Sequence, residues 1–394
     1  MIDSLYLAWR YIRFHKAKTV ILVASITLTI FLPAAVDALV DESAQQLRRR
    51  ARTTPLIVGT KGSQTELVLN SLYFESEPPV PSDMSQLARV RESQLARAIP
   101  LFVRYQAKGA PIVGTNLDYF AFRDLQIARG RNFATLGECV LGHETAQRLK
   151  LAPSDTLLST PEDVFDLAGV YPLKMHVVGV LAPTGSPDDS AVFVDVKTTW
   201  IIAGLGHGHQ NLKDPSAATS ILKQDGNQLT ANAALVTYTE ITPENADSFH
   251  FHGDPDSFPL TGVIALPHDE KSRTLLMGRY QSPGEPAQIV QPTDVMDELL
   301  ATILRVRSFI LAGSLLLGVA TTLSVVLVFL LSLRLRRREI ATITKIGGSR
   351  LHLIAIVAWE ILLVVGVSGI LATLLTLAAR QFDEHLIRWL LLSI

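Results

Sequence analysis

The chain has 394 residues, 48% of them hydrophobic, and a formal net charge of −1 at pH 7. This near-neutral balance gives no general polyanion-binding surface, so nucleic acid is not expected as a partner. The single cysteine, Cys139, excludes an intrachain disulfide and a cysteine-based zinc knuckle. The length leaves room for a folded domain of ordinary size beside membrane helices.

The N-terminal region predicts a membrane anchor with its amino end in the cytoplasm. Residues 1–18 mix apolar and basic positions at helical spacing, which is typical of an amphipathic helix at a membrane surface. Residues 19–36 carry no charge, and the long basic lead-in favours a retained span over a cleaved signal peptide. We therefore predict transmembrane helix 1 at 19–40. Four bases precede it and place the N terminus inside: Arg10, Arg13, Lys16 and Lys18.

Residues 41–305 predict an extracytoplasmic domain of mixed α and β structure. Its β-rich runs are bounded by Gly, Pro or Asp: 55–59, 177–181, 191–196 and 233–238. Helices are predicted at 83–98, at 143–149 and, as stalks next to the membrane, at 38–52 and 291–307. A basic cluster conflicts with this orientation, although translocation of a long domain is largely indifferent to charge: Arg48, Arg49, Arg50 and Arg52. Asp188 and Asp189 lie in a Gly/Pro-rich stretch and are interpreted as turn residues.

Two further apolar runs flank a short basic loop. Transmembrane helices 2 and 3 are predicted at 306–333 and 351–379, each long enough to cross a bilayer. The loop at 334–350 is rich in arginine, which keeps it in the cytoplasm. Glu360 interrupts the third span and is expected to snorkel or to pair with a loop arginine. Residues 380–394 are predicted to form an extracytoplasmic or interfacial tail.

The loop carries an apolar pattern that its topology does not explain. Ile340, Ile343 and Ile346 recur every third residue, which places one apolar stripe on a short helix closed by Gly347 and Gly348. A simple topological loop accounts for the arginines but not for this stripe. Docking into a groove of a cytoplasmic partner accounts for both. The residues alone leave the two interpretations open.

Several segments in order resemble the MacB/FtsX family of ABC-transporter permeases. The loop sequences RREIA (337–341) and IGGSR (346–350) resemble the family's R-R-E-I-A and L-G-A-S-R segment. Four further stretches resemble parts of the family's periplasmic domain: 130–133, 140–142, 177–181 and 192–194. Residues 59–70 are similar to one branch of the family. In this family the loop meets the ATPase, which implies eight coupling residues: Arg337, Arg338, Glu339, Ile340, Ile343, Ile346, Gly347 and Gly348.

The resemblance implies a fold, a function and a set of partners. The fold is an α-helical membrane protein with three transmembrane helices and a MacB-like α/β domain inserted between helices 1 and 2. The function is that of a permease that transmits ATP-driven motion and exports or extracts a lipoprotein, peptide or other amphiphile. The implied partners are a cytoplasmic ABC ATPase holding ATP and magnesium, a second copy or related permease, membrane lipid, and a periplasmic adaptor or lipoprotein. The implied location is the bacterial inner membrane. The alternative function is that of an FtsX-like regulator of a cell-wall hydrolase.

The sequence departs from the family in one respect and excludes one activity. The family usually has four spans, whereas three are predicted here, so a fourth helix was lost or is supplied by a partner. The sequence contains no G-x-x-x-x-G-K-[ST] phosphate-binding motif. No catalytic residue or cofactor is therefore predicted in this chain, and ATP hydrolysis is expected in a separate subunit.

Histidines in the extracytoplasmic region suggest a metal site. They occur as the pairs His207-x-His209 and His250-x-His252, with His268 further along. Residues i and i+2 of a strand share a face, so each pair would present two imidazoles together. Neutral imidazole is a usual zinc ligand, and a carboxylate such as Asp254 would complete a site. Solvated loop histidines are the alternative, because the two pairs need not meet; a zinc-binding module therefore remains an alternative function.

Overall fold

The computed structural model describes residues 2–75, 77–160, 172–209, 221–225, 228–231, 238–282, 284–337, 341–342 and 350–391. The chain divides into two compact units. The first, called the helical unit, comprises Met1–Leu47 and Glu298–Ile394. The second, called the sheet domain, comprises Arg48–Asp297.

The α-helices of the described chain fall into long and short classes. In chain order they are α1 (Ile2–Phe14), α2 (Lys16–Arg52), α3 (Gln64–Tyr73), α4 (Met84–Glu92), α5 (Leu117–Arg123), α6 (His143–Leu149), α7 (Val196–Ile202), α8 (Glu270–Arg279), α9 (Pro292–Leu335) and α10 (Arg350–Leu391). Within the described residues, three segments are long and apolar enough to cross a membrane: Lys16–Ala38, Pro292–Leu335 and Leu351–Ala379. The helices α2 and α9 each contribute residues to both units.

In the described part of the helical unit, both apolar and polar contacts join the helices. Leu22, Phe329 and Val364 form its small buried apolar cluster. The hydroxyl groups of Thr29 and Thr321 lie 3.1 Å apart and hydrogen-bond across α2 and α9. Only 6% to 17% of each apolar window is buried, so most apolar side chains are available to lipid. Small and hydroxyl residues commonly join helices in a membrane, where apolar burial gives no driving force.

The sheet domain is organised around one large mixed sheet. The described strands are β1 (Leu56–Thr60), β2 (Ser82–Asp83), β3 (Ala96–Ala107), β4 (Ala110–Thr115), β5 (Ile127–Gly130), β6 (Glu138–Leu141), β7 (Thr156–Leu158), β8 (Lys174–Leu181), β9 (Val192–Asp195), β10 (Gly206–Gly208), β11 (Ile221–Asp225), β12 (Gln228–Ala231), β13 (Phe249–Phe251), β14 (Pro259–Leu260), β15 (Gly262–Pro267) and β16 (Ala287–Val290). The strand order of the large sheet is β16-β1-β15-β3-β4-β9-β6-β8-β5, with β7 also paired to β8. Three two-stranded sheets accompany it among the described residues: β10 with β13, β11 with β12, and β14 with β2.

The large sheet is buried on both faces near its centre. On β3, Ile99 and Leu101 belong to a cluster with Phe193. Their neighbour Phe102 points to the opposite face and belongs to a cluster with Trp200. Side chains alternate between faces with a period of two, so a strand covered on both sides reads as an almost continuous apolar run.

Three of the four β-rich runs form strands in the structure. The run at 55–59 forms β1, the run at 177–181 ends β8, and the run at 191–196 includes β9. The run at 233–238 lies outside the described residues except for its last member. The helix predicted at 143–149 is confirmed as α6.

The helix predicted at 83–98 is wrong in its second half. The helix α4 ends at Glu92, where Gln94 adopts a positive φ of 56°. Strand β3 then begins at Ala96, which pairs with Pro267 of β15. The sheet partner overrides the local helical pattern, because strand preference depends strongly on tertiary pairing.

Candidate functional site

Most of the predicted coupling residues lie outside the described part of the chain. Arg337 is described and exposed. The other seven are not described: Arg338, Glu339, Ile340, Ile343, Ile346, Gly347 and Gly348. Their contact with an ATPase therefore stays a prediction.

A buried carboxylate joins the helices that flank this loop. Glu360 of α10 has a side chain only 4% exposed, and its two oxygens accept from Lys18 of α2 at 2.9 Å and Arg336 at 3.1 Å. The Lys18 ammonium also donates to the Ser332 hydroxyl of α9 at 3.2 Å. We call these four residues the Glu360 cluster. A charge in this setting must be paired, since an isolated ion in a membrane span is costly, and the expected pairing of Glu360 with an arginine is confirmed.

A second buried ion pair lies in the sheet domain at the end of α2. The guanidinium of Arg50 donates to both oxygens of Asp188, at 2.6 and 2.9 Å. The Tyr119 hydroxyl donates to Asp188 Oδ1 at 2.8 Å. The Arg50 and Asp188 side chains are 6% and 2% exposed. We call these three residues the Arg50 cluster; paired donation of this kind fixes orientation as well as charge.

The electrostatics of this cluster favour the ionised pair. Burial alone would raise the pKa of Asp188, but the Arg50 guanidinium and the Tyr119 hydroxyl more than offset that effect and hold it below its usual value. Burial raises the pKa of Tyr119, which keeps the phenol protonated as a donor. The shift of Asp188 has the sign expected for a carboxylate beside a fixed cation, and that of Tyr119 has the sign expected for a buried phenol.

The backbone around Asp188 is shaped to present its carboxylate. It lies in a 3₁₀ turn, Pro187–Ser190, whose cap is Ser186. The neighbouring Asp189 folds back on the chain and accepts from the Gly185 amide at 2.7 Å. Gly142 packs against this turn so closely that a Cβ there would lie 2.3 Å from the Asp188 carbonyl oxygen. A side chain at position 142 would therefore displace the turn.

Ion pairs also link α2 and α9 within each unit. In the helical unit, Arg307 Nε donates to Asp37 at 2.6 Å. In the sheet domain, Arg48 Nε donates to Asp297 at 3.1 Å. The sequence shows both members of each pair but not their proximity, because the partners are hundreds of positions apart. The Arg50–Asp188 pair was likewise missed, since a separation of 138 residues gives no spacing signal.

The two histidine pairs meet on one small antiparallel sheet. Strands β10 and β13 pair so that His207 stands directly opposite His250. The ring centroids of these two residues are 4.9 Å apart. His209 lies 5.1 Å from His250, and His252 lies 4.9 Å from His207. The four imidazoles form what we call the histidine face.

The opposite face of this small sheet explains its orientation. Phe249 and Phe251 pack against the core of the sheet domain. Gly208 and Gly206 stand opposite them, and a Cβ at either glycine would lie within 2.6 Å of a phenylalanine ring. The glycines therefore leave room for the rings, and the alternation of side chains directs the histidines to the other side.

A hydrogen bond fixes the tautomer of one imidazole, and the surroundings lower the pKa of another. His250 Nδ1 lies 3.0 Å from the Ser248 carbonyl oxygen, so Nδ1 carries the hydrogen and Nε2 keeps its lone pair. Burial and the three neighbouring imidazoles lower the pKa of His207. Asp254 instead accepts from the Asp256 amide at 3.1 Å and caps a 3₁₀ turn. His268 is exposed at the end of β15, outside the group of close imidazoles.

Comparisons with known proteins identify the family. The model of the MacB-like periplasmic core domain matches residues 19–238. Because this match covers more than half of the chain, the chain belongs to the MacB-like family. With its three apolar helices, it is a membrane protein of the ABC-transporter permease class.

Solved structures and curated proteins add less. The extracellular domain of the noncanonic ABC-type transporter YknZ from Gram-positive bacteria is 12% identical, with 60% of this chain and 98% of that chain covered and a TM-score of 0.31. The periplasmic region of MacB from Actinobacillus actinomycetemcomitans is 11% identical, with 65% and 98% covered and a TM-score of 0.34. No curated protein matches the chain.

Proposed function

We propose that this permease transmits the ATP-driven motion of a separate cytoplasmic ATPase to its extracytoplasmic domain. The observation that carries the proposal is the continuity of α2 and α9. Each helix contains a candidate membrane span and continues without a break into residues of the sheet domain. A helix transmits displacement along its axis because its backbone hydrogen bonds lie within the element itself.

Both ends of α2 are held by buried ion pairs, which supports this role. At one end Lys18 donates to Glu360, and at the other Arg50 donates to Asp188. In the proposed complex the ATPase docks on the 334–350 loop. Arg336 lies near the start of that loop and donates to Glu360, so movement of the loop would reach α2 and α10 through one carboxylate.

The substrate we propose is an amphiphile such as a lipoprotein or peptide. Within the helical unit, α2, α9 and α10 line a groove of about 1040 Å³. Its walls are almost wholly apolar and include Pro33, Leu315 and Val365, with hydroxyl groups from Thr29 and Thr321. An apolar groove of this size suits an acyl chain or an apolar peptide segment better than a hydrophilic solute.

The proposed assembly follows from the topology that the charges predict. The N terminus and the 334–350 loop lie in the cytoplasm, and the region from 41 to 305 lies in the periplasm of a bacterial inner membrane. A second copy or a related permease, surrounding lipid, and an adaptor or lipoprotein complete the complex. ATP and magnesium are held by the ATPase.

A loop variant tests the coupling. Ile343→Asp places a charge in the apolar stripe, and we expect it to abolish co-purification of an ATPase from native membranes. Ile343→Leu is the matched control, since it keeps the apolar surface, and it should retain the ATPase. Equal recovery of ATPase with both variants would remove the loop from the coupling mechanism.

An FtsX-like regulator is the alternative function, in which the sheet domain activates a cell-wall hydrolase and nothing is transported. Crosslinking at the surface of the sheet domain in intact cells separates the two. Capture of an amphiphile or lipoprotein supports the transporter. Capture of a wall hydrolase, with no amphiphile released from proteoliposomes on ATP addition, supports the regulator.

A further inference from the structure

We propose that His207, His209 and His250 bind a zinc ion on the histidine face, with His252 as a fourth imidazole beside them. The three residues each offer a ring nitrogen, and these atoms lie within 4.8 Å of one another. The proposal is independent of transport and assigns the sheet domain a metal-binding activity of its own.

The distances are suited to closure around a metal. With Zn–N bonds of about 2.0–2.1 Å, ligand nitrogens in a tetrahedral site are about 3.4 Å apart. The three imidazoles are half-buried, so small rotations of their rings bring the nitrogens into this range. The strands need not move, because His207 and His250 already face each other across the ladder.

The site is built by the fold and not by chance proximity of loops. Phe249 and Phe251 pack against the core, and Gly206 and Gly208 pack under them. A one-residue slip of this ladder would move every side chain to the other face. The packing of the phenylalanines therefore specifies the register that joins the histidines.

The hydrogen bond at His250 is a feature that metal-binding histidines share. A ligating imidazole usually donates its other ring nitrogen to a carbonyl or carboxylate, which sets the tautomer and the ring orientation. His250 makes this contact with the Ser248 carbonyl at 3.0 Å. Nε2 is then the His250 nitrogen that keeps a lone pair for a metal.

The ligand set selects the class of metal. All the grouped donors are imidazole nitrogens, which suit zinc, copper and nickel and not magnesium or calcium. Three histidines with a partly exposed face match an open site that holds water or an exchangeable ligand.

Zinc binding by the purified full-length chain in detergent, without a histidine tag, tests the proposal. We expect equilibrium dialysis to give one zinc ion per chain for the wild type. The double variant His207→Ala/His250→Ala should bind at least about a hundredfold more weakly, since even a second-shell loss costs 10–100-fold. His268→Ala is the matched control, an exposed histidine outside the group, and it should bind as the wild type does.

Cobalt(II) spectra and thermal unfolding distinguish the loss of metal ligands from the loss of the fold. Co²⁺ should give the absorption bands of a tetrahedral nitrogen site with the wild type and with His268→Ala only. Without metal, the double variant should unfold at the wild-type temperature, because its two imidazoles are only half-buried. Absence of zinc from the wild type, or equal zinc affinity of the double variant, would overturn the proposal.

Discussion

Two of the buried carboxylates that the structure describes, Asp188 and Glu360, are neutralised in different ways. Asp188 is held by one arginine through two hydrogen bonds and by a tyrosine, all within the sheet domain. Glu360 is shared between Lys18 and Arg336, which come from different segments of the helical unit. The first is a fixed anchor with one geometry. The second is a junction at which either cation could shift while the other still compensates the charge.

This difference separates a structural from a conformational role. A bidentate arginine–carboxylate pair specifies orientation strongly, so the end of α2 at Arg50 cannot turn without breaking it. A lysine ammonium is a point charge on a flexible stem, so the Lys18 contact tolerates movement. If α2 transmits motion, we expect the Glu360 cluster to rearrange and the Arg50 cluster to stay intact.

The largest effect is expected from Arg50→Met. Removing the guanidinium leaves Asp188 buried without its cation, and breaking such a pair costs about 3–5 kcal/mol of unfolding free energy. Denaturant unfolding in detergent, followed by tryptophan fluorescence, would measure this loss of free energy. The background protein carries Phe in place of three tryptophans: Trp9, Trp359 and Trp389. Trp200 then reports on the sheet domain alone, since it is buried against Phe258.

The double variant Arg50→Met/Asp188→Leu sharpens that result. Replacing both charges by apolar side chains removes the uncompensated ion, so much of the lost stability should return. If the double variant is as unstable as Arg50→Met, the loss comes from packing and not from the unpaired charge. The double variant should nevertheless stimulate the ATPase less than the wild type does, because the ion pair that orients the end of α2 is absent.

A smaller effect is expected from Glu360→Gln. The amide is neutral and can still accept from Lys18 or Arg336, so we expect a loss of about 1.5–3 kcal/mol, the range for hydrogen bonds to charged groups. Thermal unfolding in detergent, followed by tryptophan fluorescence, measures this loss. Trp200 is replaced by Phe, so that the remaining tryptophans all report on the helical unit. Glu360→Asp is the control that keeps the charge on a shorter stem. If Glu360→Gln changes neither stability nor ATPase stimulation, Glu360 is not a junction between the loop and the helices.

Acid should destabilise the sheet domain by protonating carboxylates that are paired with arginines. The pKa of Asp188 is lowered when the domain folds, and hydrogen bonds from Arg131 lower that of Glu138 to about 2. Each carboxylate therefore contributes stability that is present above its unfolded pKa of about 4 and is lost as the pH falls through the folded value. Trp200 fluorescence should show declining stability below about pH 4. The decline should be shallower in Arg50→Met/Asp188→Leu, and identical profiles would contradict the assignment to Asp188.

The sequence predicts those parts of the fold that depend on local composition. Long uncharged runs identify the membrane segments, because a bilayer selects for length and apolarity alone. Runs such as 177–181 identify core strands, since a strand buried on both faces is almost wholly apolar. Strand β3 was missed, since Ala96–Ala107 begins with two alanines and one arginine before its apolar centre. Its pairing with β15 and β4 makes this segment a strand.

The functional sites required long-range information that spacing does not contain. Each histidine pair predicts a shared face by itself, but only the register of β10 with β13 brings His207 opposite His250. The arginines at 48–52 conflicted with the predicted orientation when read as free charges. In the structure Arg50 is bound to Asp188 and Arg48 to Asp297, so two of these bases are neutralised within the sheet domain.

Arg48→Ala gives the smallest expected effect and the strictest comparison with Arg50. The two arginines lie on the same turn of α2, but the Arg48 and Asp297 side chains are 35% and 63% exposed. Exposed pairs contribute about 0–1 kcal/mol because water and salt screen them. The Trp200 unfolding assay should therefore show a change of less than about 1 kcal/mol, and 0.5 M salt should remove most of it, since charges are then screened within a few ångströms. A loss as large as that of Arg50→Met would mean that the contact between α2 and α9, and not the buried anchor, holds the end of α2.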